Sequence, residues 1–421
     1  MTSLFSSIEC AGRTFRRRTE RGGEDEPMGR DDDASASANP GDDMGGKKAI
    51  EQQAGETEEY REDLDPAADP VEIIDRMIAA QKAKHASRAV GEIWYESQTQ
   101  KWNVQLANLA ELPTAFELSE RDGKSAPTCL EDFRRRDGVG ELRVPSPSAL
   151  VHLDGLAATN PHFRQVVDLV RVHVTASIRA QRPIAIPHML LVGPPGIGKS
   201  HLVRAIGQAL ALPVTICDGP AMSGGSVFSG TDTTWKRPRG GKISEVLMRH
   251  ETANSLVMID EIDKVYQHPG ETDTLDPLHS LLERSSARRW RDEYFAAEMD
   301  ASHLTIIATC NSVEGIAPSL LDRFLVFRIG KPDRAQLRSV IRSIAETMAS
   351  EHGAWFPSPP LDDAVVEMMT ASGTPRSAAK ILRLAMAVAI SEGRREVTRA
   401  DIDAAGAMAT TTERQAMGFI R

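Results

Sequence analysis

Cysteine is scarce and scattered in this chain of 421 residues: Cys10, Cys129, Cys217 and Cys310 are the four, and no two are close in sequence. That excludes a zinc ribbon or dithiol motif readable from spacing, and it suits a reducing compartment. No apolar run approaches the roughly 18 residues that a membrane-spanning helix needs. The arginines of FRRRTERGGEDEP (15–27) are followed by no apolar stretch, so the segment does not read as an export signal. A cytoplasmic protein with no membrane partner is expected. Positive charge is not in excess either. A net charge of -10 argues against a protein built mainly to coat nucleic acid, although a local basic patch remains compatible with it. What is present, 41% hydrophobic and 26% charged residues, is ordinary for a globular protein. The length allows two or more domains.

Residues 1–69 are rich in Gly, Asp, Glu, Arg and Ser and poor in branched aliphatics, the composition of a disordered charged arm. From Pro70 the texture changes. Ile74, Met77 and Ile78 fall at helical spacing, so 70–145 is expected to be an accessory region or linker, helical at its start. The prolines of VPSPSA (144–149) mark a boundary. Beyond it lie five short apolar runs of strand length: HMLLVG (188–193), PVTICD (213–218), SLVMID (255–260), LTIIAT (304–309) and FLVFRI (324–329). Helical stretches separate several of them. Runs apolar on both faces with helical crossovers predict an α/β domain over 146–331, a mostly parallel sheet covered by helices on both faces. After Pro332 the strand-like runs stop and four helical patterns follow, predicting a small all-helical domain over 332–410 and a tail over 411–421.

Chemistry concentrates in the α/β domain. GPPGIGKS, comprising Gly193, Pro194, Pro195, Gly196, Ile197, Gly198, Lys199 and Ser200, lies between a predicted strand and a helix that begins at His201. Glycines let the backbone wrap a phosphate chain, and the loop amides with the helix N-terminus stabilise the anion. Lys199 is placed for the β- and γ-phosphates and Ser200 for Mg²⁺. This is the phosphate loop of a nucleoside-triphosphatase, so ATP and Mg²⁺ are the expected cofactors. The strand LVMID ends in Asp260, placed to hold the metal through water, and Glu261, placed to polarise the attacking water. Asn311 closes the strand IIATC, where an amide can orient that water or simply serve a turn. Arg323 in SLLDRF and Arg376 in GTPRSAAKIL are each an ordinary surface residue when taken alone.

Taken in order, the phosphate loop, acidic pair, Asn, Arg and second Arg resemble the AAA+ ATPases over residues 150–405. The resemblance implies that Asn311 is the first sensor residue and that Arg376 is a second sensor in a helical lid. It also implies that Arg323 acts in trans on a neighbour's γ-phosphate within a ring, usually a hexamer. Arginines supplied in this way contribute about 10³–10⁵ in rate. Within the family, DEIDK (260–264), DPLHSLLE (276–283), WRDEYF (290–295), MDASHLTIIATCN (299–311) and IAPSLLDRF (316–324) resemble the ATPase module of Lon proteases.

That likeness implies that SGGSVFSGTDTTWKRPRGGKI (223–243) carries a pore loop, with Trp235 as the aromatic that grips an extended polypeptide. A buried structural Trp is the alternative. Lys236 stands where the family has an aliphatic residue, within a basic collar of Lys236, Arg237, Arg239 and Lys242. Trp290 either lines a second pore loop or packs on its own domain. No counterpart of the Lon proteolytic domain follows the lid, so no intrinsic peptidase is expected. The expected function is ATP-driven remodelling or translocation of a polypeptide, with a separate partner protein as an option. The alternatives are a nucleic-acid-associated ATPase, supported by the basic collar, and an ATP-dependent assembly switch.

Overall fold

The computed structural model describes residues 88–122, 127–222, 226–231, 238–266, 273–353, 355–357 and 360–416. The expectations for the arm at 1–69, for a helix starting near Val71 and for the pore residues Trp235 and Lys236 lie outside these residues.

The described chain opens with three antiparallel strands, β1 (Ile93–Glu96), β2 (Lys101–Gln105) and β3 (Val139–Leu142). Helices α1 (Ala115–Asp122) and α2 (Thr128–Arg135) lie between β2 and β3. This differs from the accessory region or linker expected over 70–145. Val104, Leu106, Leu118, Leu130, Phe133 and Leu142 are buried in one cluster with residues of the α/β domain. The Arg136 guanidinium fastens the join. It donates to the carbonyls of Leu247 (2.6 Å), Met248 (2.9 Å) and His250 (2.5 Å), the otherwise unpaired acceptors at the end of a helix. Burial lowers its pKa to about 10.

Two helices, α3 (Ser148–Thr159) and α4 (Arg164–Ala180), precede the central sheet. The sheet holds β4 (Met189–Val192), β5 (Val214–Asp218), β6 (Leu256–Asp260), β9 (Thr305–Cys310) and β10 (Leu325–Arg328). Helix α5 (Lys199–Leu210) connects β4 to β5, and α6 (Lys242–Arg249) precedes β6. A small hairpin, β7 (Trp290–Asp292) with β8 (Ala297–Met299), precedes β9. The strand order is β10-β4-β9-β6-β5 and every pair is parallel.

Alternation along these strands builds two cores. Leu190, Val192, Val257, Ile259 and Ile306 face one, while Met189, Leu191, Leu256, Met258 and Ile307 face the other. Both faces are therefore covered, as continuous apolar runs in a parallel sheet require. Each strand matches its expected run to within one residue. Because all run the same way, the C-terminal ends of β4, β6 and β9 open on one edge, where ligands bind such sheets.

The C-terminal region is helical: α7 (Arg334–Glu351), α8 (Asp363–Met369), α9 (Pro375–Ser391) and α10 (Arg399–Ala416). Helix α7 starts with a reciprocal cap, in which the Asp333 carboxylate accepts from Gln336 N (2.8 Å) and the Gln336 amide oxygen from Asp333 N (3.0 Å). Leu337, Ile341, Val366, Leu382 and Met386 form its separate core. The last helix runs past the boundary expected at 410. Among the described residues no helix is long and apolar enough to cross a membrane.

Candidate functional site

The turn after β4 is the phosphate-loop segment. Gly196 and Gly198 stand at φ +80° and +102°, which only glycine adopts without strain. Lys199 opens α5, and its side chain folds back over the loop. Its ammonium donates to the carbonyls of Gly193 (2.6 Å) and Pro194 (3.1 Å) and to Asn311 Oδ1 (3.0 Å). Burial lowers its pKa, and the carboxylates of Asp263, Asp260 and Glu261 work against that shift. The loop after β4 and the end of β9 are thereby tied through one cation.

Ser200 follows, and its hydroxyl donates to Asp260 Oδ1 at 2.7 Å. The same carboxylate oxygen accepts from Thr309 Oγ1 at 2.6 Å. Thr309 is fully buried, and its Oγ1 also accepts from the Glu261 backbone N–H at 3.0 Å. This threonine therefore sets both acids. It was not singled out in the sequence, where the one available signal was its place two residues before Asn311.

Glu261 adopts a left-handed backbone, φ +54°. For a residue with a side chain this costs about 1 kcal/mol or more. The conformation turns the chain sharply out of β6, against Gly219, where a Cβ would lie 2.3 Å from the Glu261 carbonyl. The Glu261 carboxylate accepts from Lys264 Nζ at 2.8 Å, a bond that raises the lysine pKa. With its Oδ1 engaged by Lys199, Asn311 presents amide N–H donors.

The helical region closes over the loop. Thr374 caps α9 by accepting from Ser377 N (3.2 Å), Pro375 occupies its first turn, and Arg376 N donates to the Gly196 carbonyl (3.2 Å). Loop and lid enclose a cleft of about 410 Å³. Gly196, Ile197, Gly198, Lys199, Ser200, His201, Asp260, Glu261, Asn311 and Arg376 all line it. Its opposite wall is made by Val340, Ile344 and Met348 of α7, with Asn160 at the mouth of α4's preceding turn. Sequence reading missed this apolar wall, because helical spacing alone does not separate core positions from cleft positions. Arg383 also lines the cleft, two turns beyond Arg376 on the same face of α9.

Arg323 does not join this group. Its guanidinium is exposed and donates to the Ser319 carbonyl at 2.7 Å. Trp290 is buried, 4% exposed, inside the core cluster, so the pore-lining option for it is discarded in favour of packing on its own domain. Asp292 is buried beside it. Its carboxylate accepts from the backbone N–H groups of Gly241, Tyr294 (both 2.9 Å) and Phe295 (3.1 Å). Glu293 N donates to Ser229 O, and Thr231 N donates to Arg239 O at 2.9 Å. The charged and aromatic cluster ahead of β9 thus holds Ser229 and Gly241.

Residues 189–330 match the model of the ATPase family associated with various cellular activities (AAA). The mitochondrial Lon protease homolog of Schizosaccharomyces pombe is 33% identical over 144 residues, covering 34% of this chain and 13% of that protein. The Lon protease of Mesomycoplasma hyopneumoniae is 27% identical over 201 residues, covering 46% and 23%. The match thus spans less than a quarter of either relative's length. Among solved structures, the Thermotoga maritima RuvB Holliday junction branch migration motor aligns at 17% identity with a TM-score of 0.41, over 57% of this chain and 67% of that one. The segment 189–330 is a AAA-family ATPase module, and the module is similar to that of Lon proteases.

Proposed function

We propose that this chain is a Mg²⁺-dependent ATPase that assembles into a ring and works on a polypeptide. One observation carries the ATPase reading: Lys199, the Ser200–Asp260 pair, Glu261 and Asn311 converge in a cleft under Arg376. Lys199 and the loop amides bind the β- and γ-phosphates, and Arg376 reaches them from the lid. Ser200 and Asp260 would hold Mg²⁺, since a hydroxyl and a carboxylate held 2.7 Å apart offer the oxygen donors that a hard cation takes. When bound, the ion neutralises charge on the phosphate oxygens. Glu261 accepts a proton from the attacking water once its carboxylate leaves Lys264, and Asn311 orients that water.

Work on a polypeptide is supported by the likeness of this module to that of Lon proteases. Trp235 and Lys236 are the proposed gripping residues, and Arg323 is the residue proposed to reach a neighbouring copy. The test is ATP turnover of the purified chain at several concentrations, alone, with an unfolded acidic protein, and with single-stranded DNA. Turnover per chain that rises with concentration and with the protein is the expected result. Stimulation by DNA alone would replace the polypeptide reading with a nucleic-acid one, and stimulation by neither with an assembly switch. Glu261→Gln should keep ATP binding and lose roughly 10²–10⁴ in turnover. Unchanged turnover in that variant would remove Glu261 as the base.

A further inference from the structure

Asp263 has appeared so far only as a charge near Lys199, yet it also contacts the backbone at the end of β9. It lies in the short turn Ile262–Lys264 that follows β6. The paired register of β6 and β9 ends at Ile259 and Ala308. Beyond that point β6 and β9 no longer pair with each other, although Glu261 and Asn311 both lie there. Two side chains take over. Thr309 reaches from β9 to the Glu261 backbone, as described above. Asp263 reaches the other way: its Oδ2 accepts from the backbone N–H groups of Asn311 (2.9 Å) and Ser312 (3.3 Å).

We propose that Asp263 is a positioning residue for ATP hydrolysis: it clamps the Asn311 backbone so that the Asn311 amide meets Lys199 and faces the same water as Glu261. The inference rests on the ATPase reading above. The direction of the contacts supports it. Asn311 Oδ1 accepts from Lys199 Nζ at 3.0 Å, so a shift at the 311 backbone moves the amide relative to the phosphate-binding lysine. The carboxylate also lies near enough to Lys199 to act on its charge. Its second oxygen, Oδ1, is buried with no hydrogen-bond partner among the described residues. A buried oxygen without a partner calls for an explanation beyond the capping of a turn.

The experiment compares Asp263→Ala and Asp263→Asn in two backgrounds, wild type and Asn311→Ala. It reads kcat and KM for ATP, and hydrogen exchange at the Asn311 and Ser312 amides. Asp263→Ala should lower kcat roughly 10- to 100-fold, as a misplaced catalytic group does. KM should stay within about twofold, because only hydrolysis is affected. Asp263→Asn, whose amide oxygen can accept from both N–H groups, should keep most of the rate. In the Asn311→Ala background the alanine change should add no further loss. Multiplicative losses in the double variant, or an Asn variant no better than Ala, would overturn the proposal.

Exchange separates the two levels of inference. Faster exchange at Asn311 and Ser312 in Asp263→Ala shows the clamp whether or not the chain turns over ATP. Unchanged protection would refute it. Absent turnover in the wild-type chain would instead refute the ATPase reading. If Asp263→Ala does not fold, Asp263→Ser, too short to span to the Asn311 amide, serves in its place.

Discussion

His188 shows how one side chain ties the sheet to pH. It sits at the start of β4, where Nδ1 accepts from the Ile306 backbone N–H of β9 at 3.0 Å. Burial lowers its pKa to about 4, so the folded chain keeps it neutral. In the unfolded chain it titrates near the ordinary value of 6.5. The stability it confers is therefore complete above 6.5 and is lost as pH falls through about 4. His188→Asn, which keeps an acceptor and cannot titrate, should flatten the fall in Tm over that window. An unchanged pH profile of Tm would show that the ring is not what titrates. The acids of the site divide in the same way between what spacing reveals and what it hides. Asp260 and Glu261 were legible because two carboxylates end an apolar strand some sixty residues after a phosphate loop. Thr309 and Asp263 were not, since a Thr within a strand and an Asp after a turn carry no signal until two strand ends are brought side by side.

At the level of elements, the parallel strands were legible because each is a short run apolar on both faces, bounded by Gly, Pro or polar residues. The hairpin β7–β8 was not. Its Trp290 was compatible with a pore-lining loop and with packing on its own domain, and only the packing shows that it is core. Asp292 within it is a structural element in its own right. Burial raises its pKa, and the backbone donors at Gly241, Phe295 and Tyr294 work against that rise. Asp292→Ala would leave those N–H groups without an acceptor, at a cost of about 3 kcal/mol or more. Tm should fall by roughly 6–12 °C, and a change under about 2 °C would contradict the anchoring role. In the lid, the Asp401 carboxylate is held by Arg394, whose hydrogen bonds lower its pKa to about 2. That pair joins the segment after α9 to α10, so helix order there depends on a contact that the sequence separates by one turn of loop.

Across the whole molecule, the segment 88–142 is the largest departure from expectation. It carries little chemistry, and its alternating segments read as an accessory region or linker; Phe133, Leu130 and Leu118 are buried in one cluster with residues of the α/β domain. Arg323 belongs to this scale as well. Exposed and absent from the lining of its own cleft, it is proposed above to act on a second copy. Arg323→Ala and Glu261→Gln should each lose 10²-fold or more in turnover, in keeping with the roughly 10³–10⁵ contributed by such arginines. Mixing the two variants should restore part of it, because one interface then pairs an intact Glu261 with an intact Arg323. No recovery on mixing would place the arginine's action within its own chain.

Local patterns determined the strands, the lid helices, the phosphate loop and the acids at the end of β6, because each depends on contacts within a few residues of the chain. Tertiary structure decided what lies between them. It set which core the 88–142 segment completes, which apolar residues of α7 face the cleft, whether Trp290 is inside or out, and which side chains span the ends of β6 and β9. Those outcomes depend on pairings between residues far apart in the chain. Such pairings leave no periodicity to read, and their energy appears only when the sheet closes and water leaves the site.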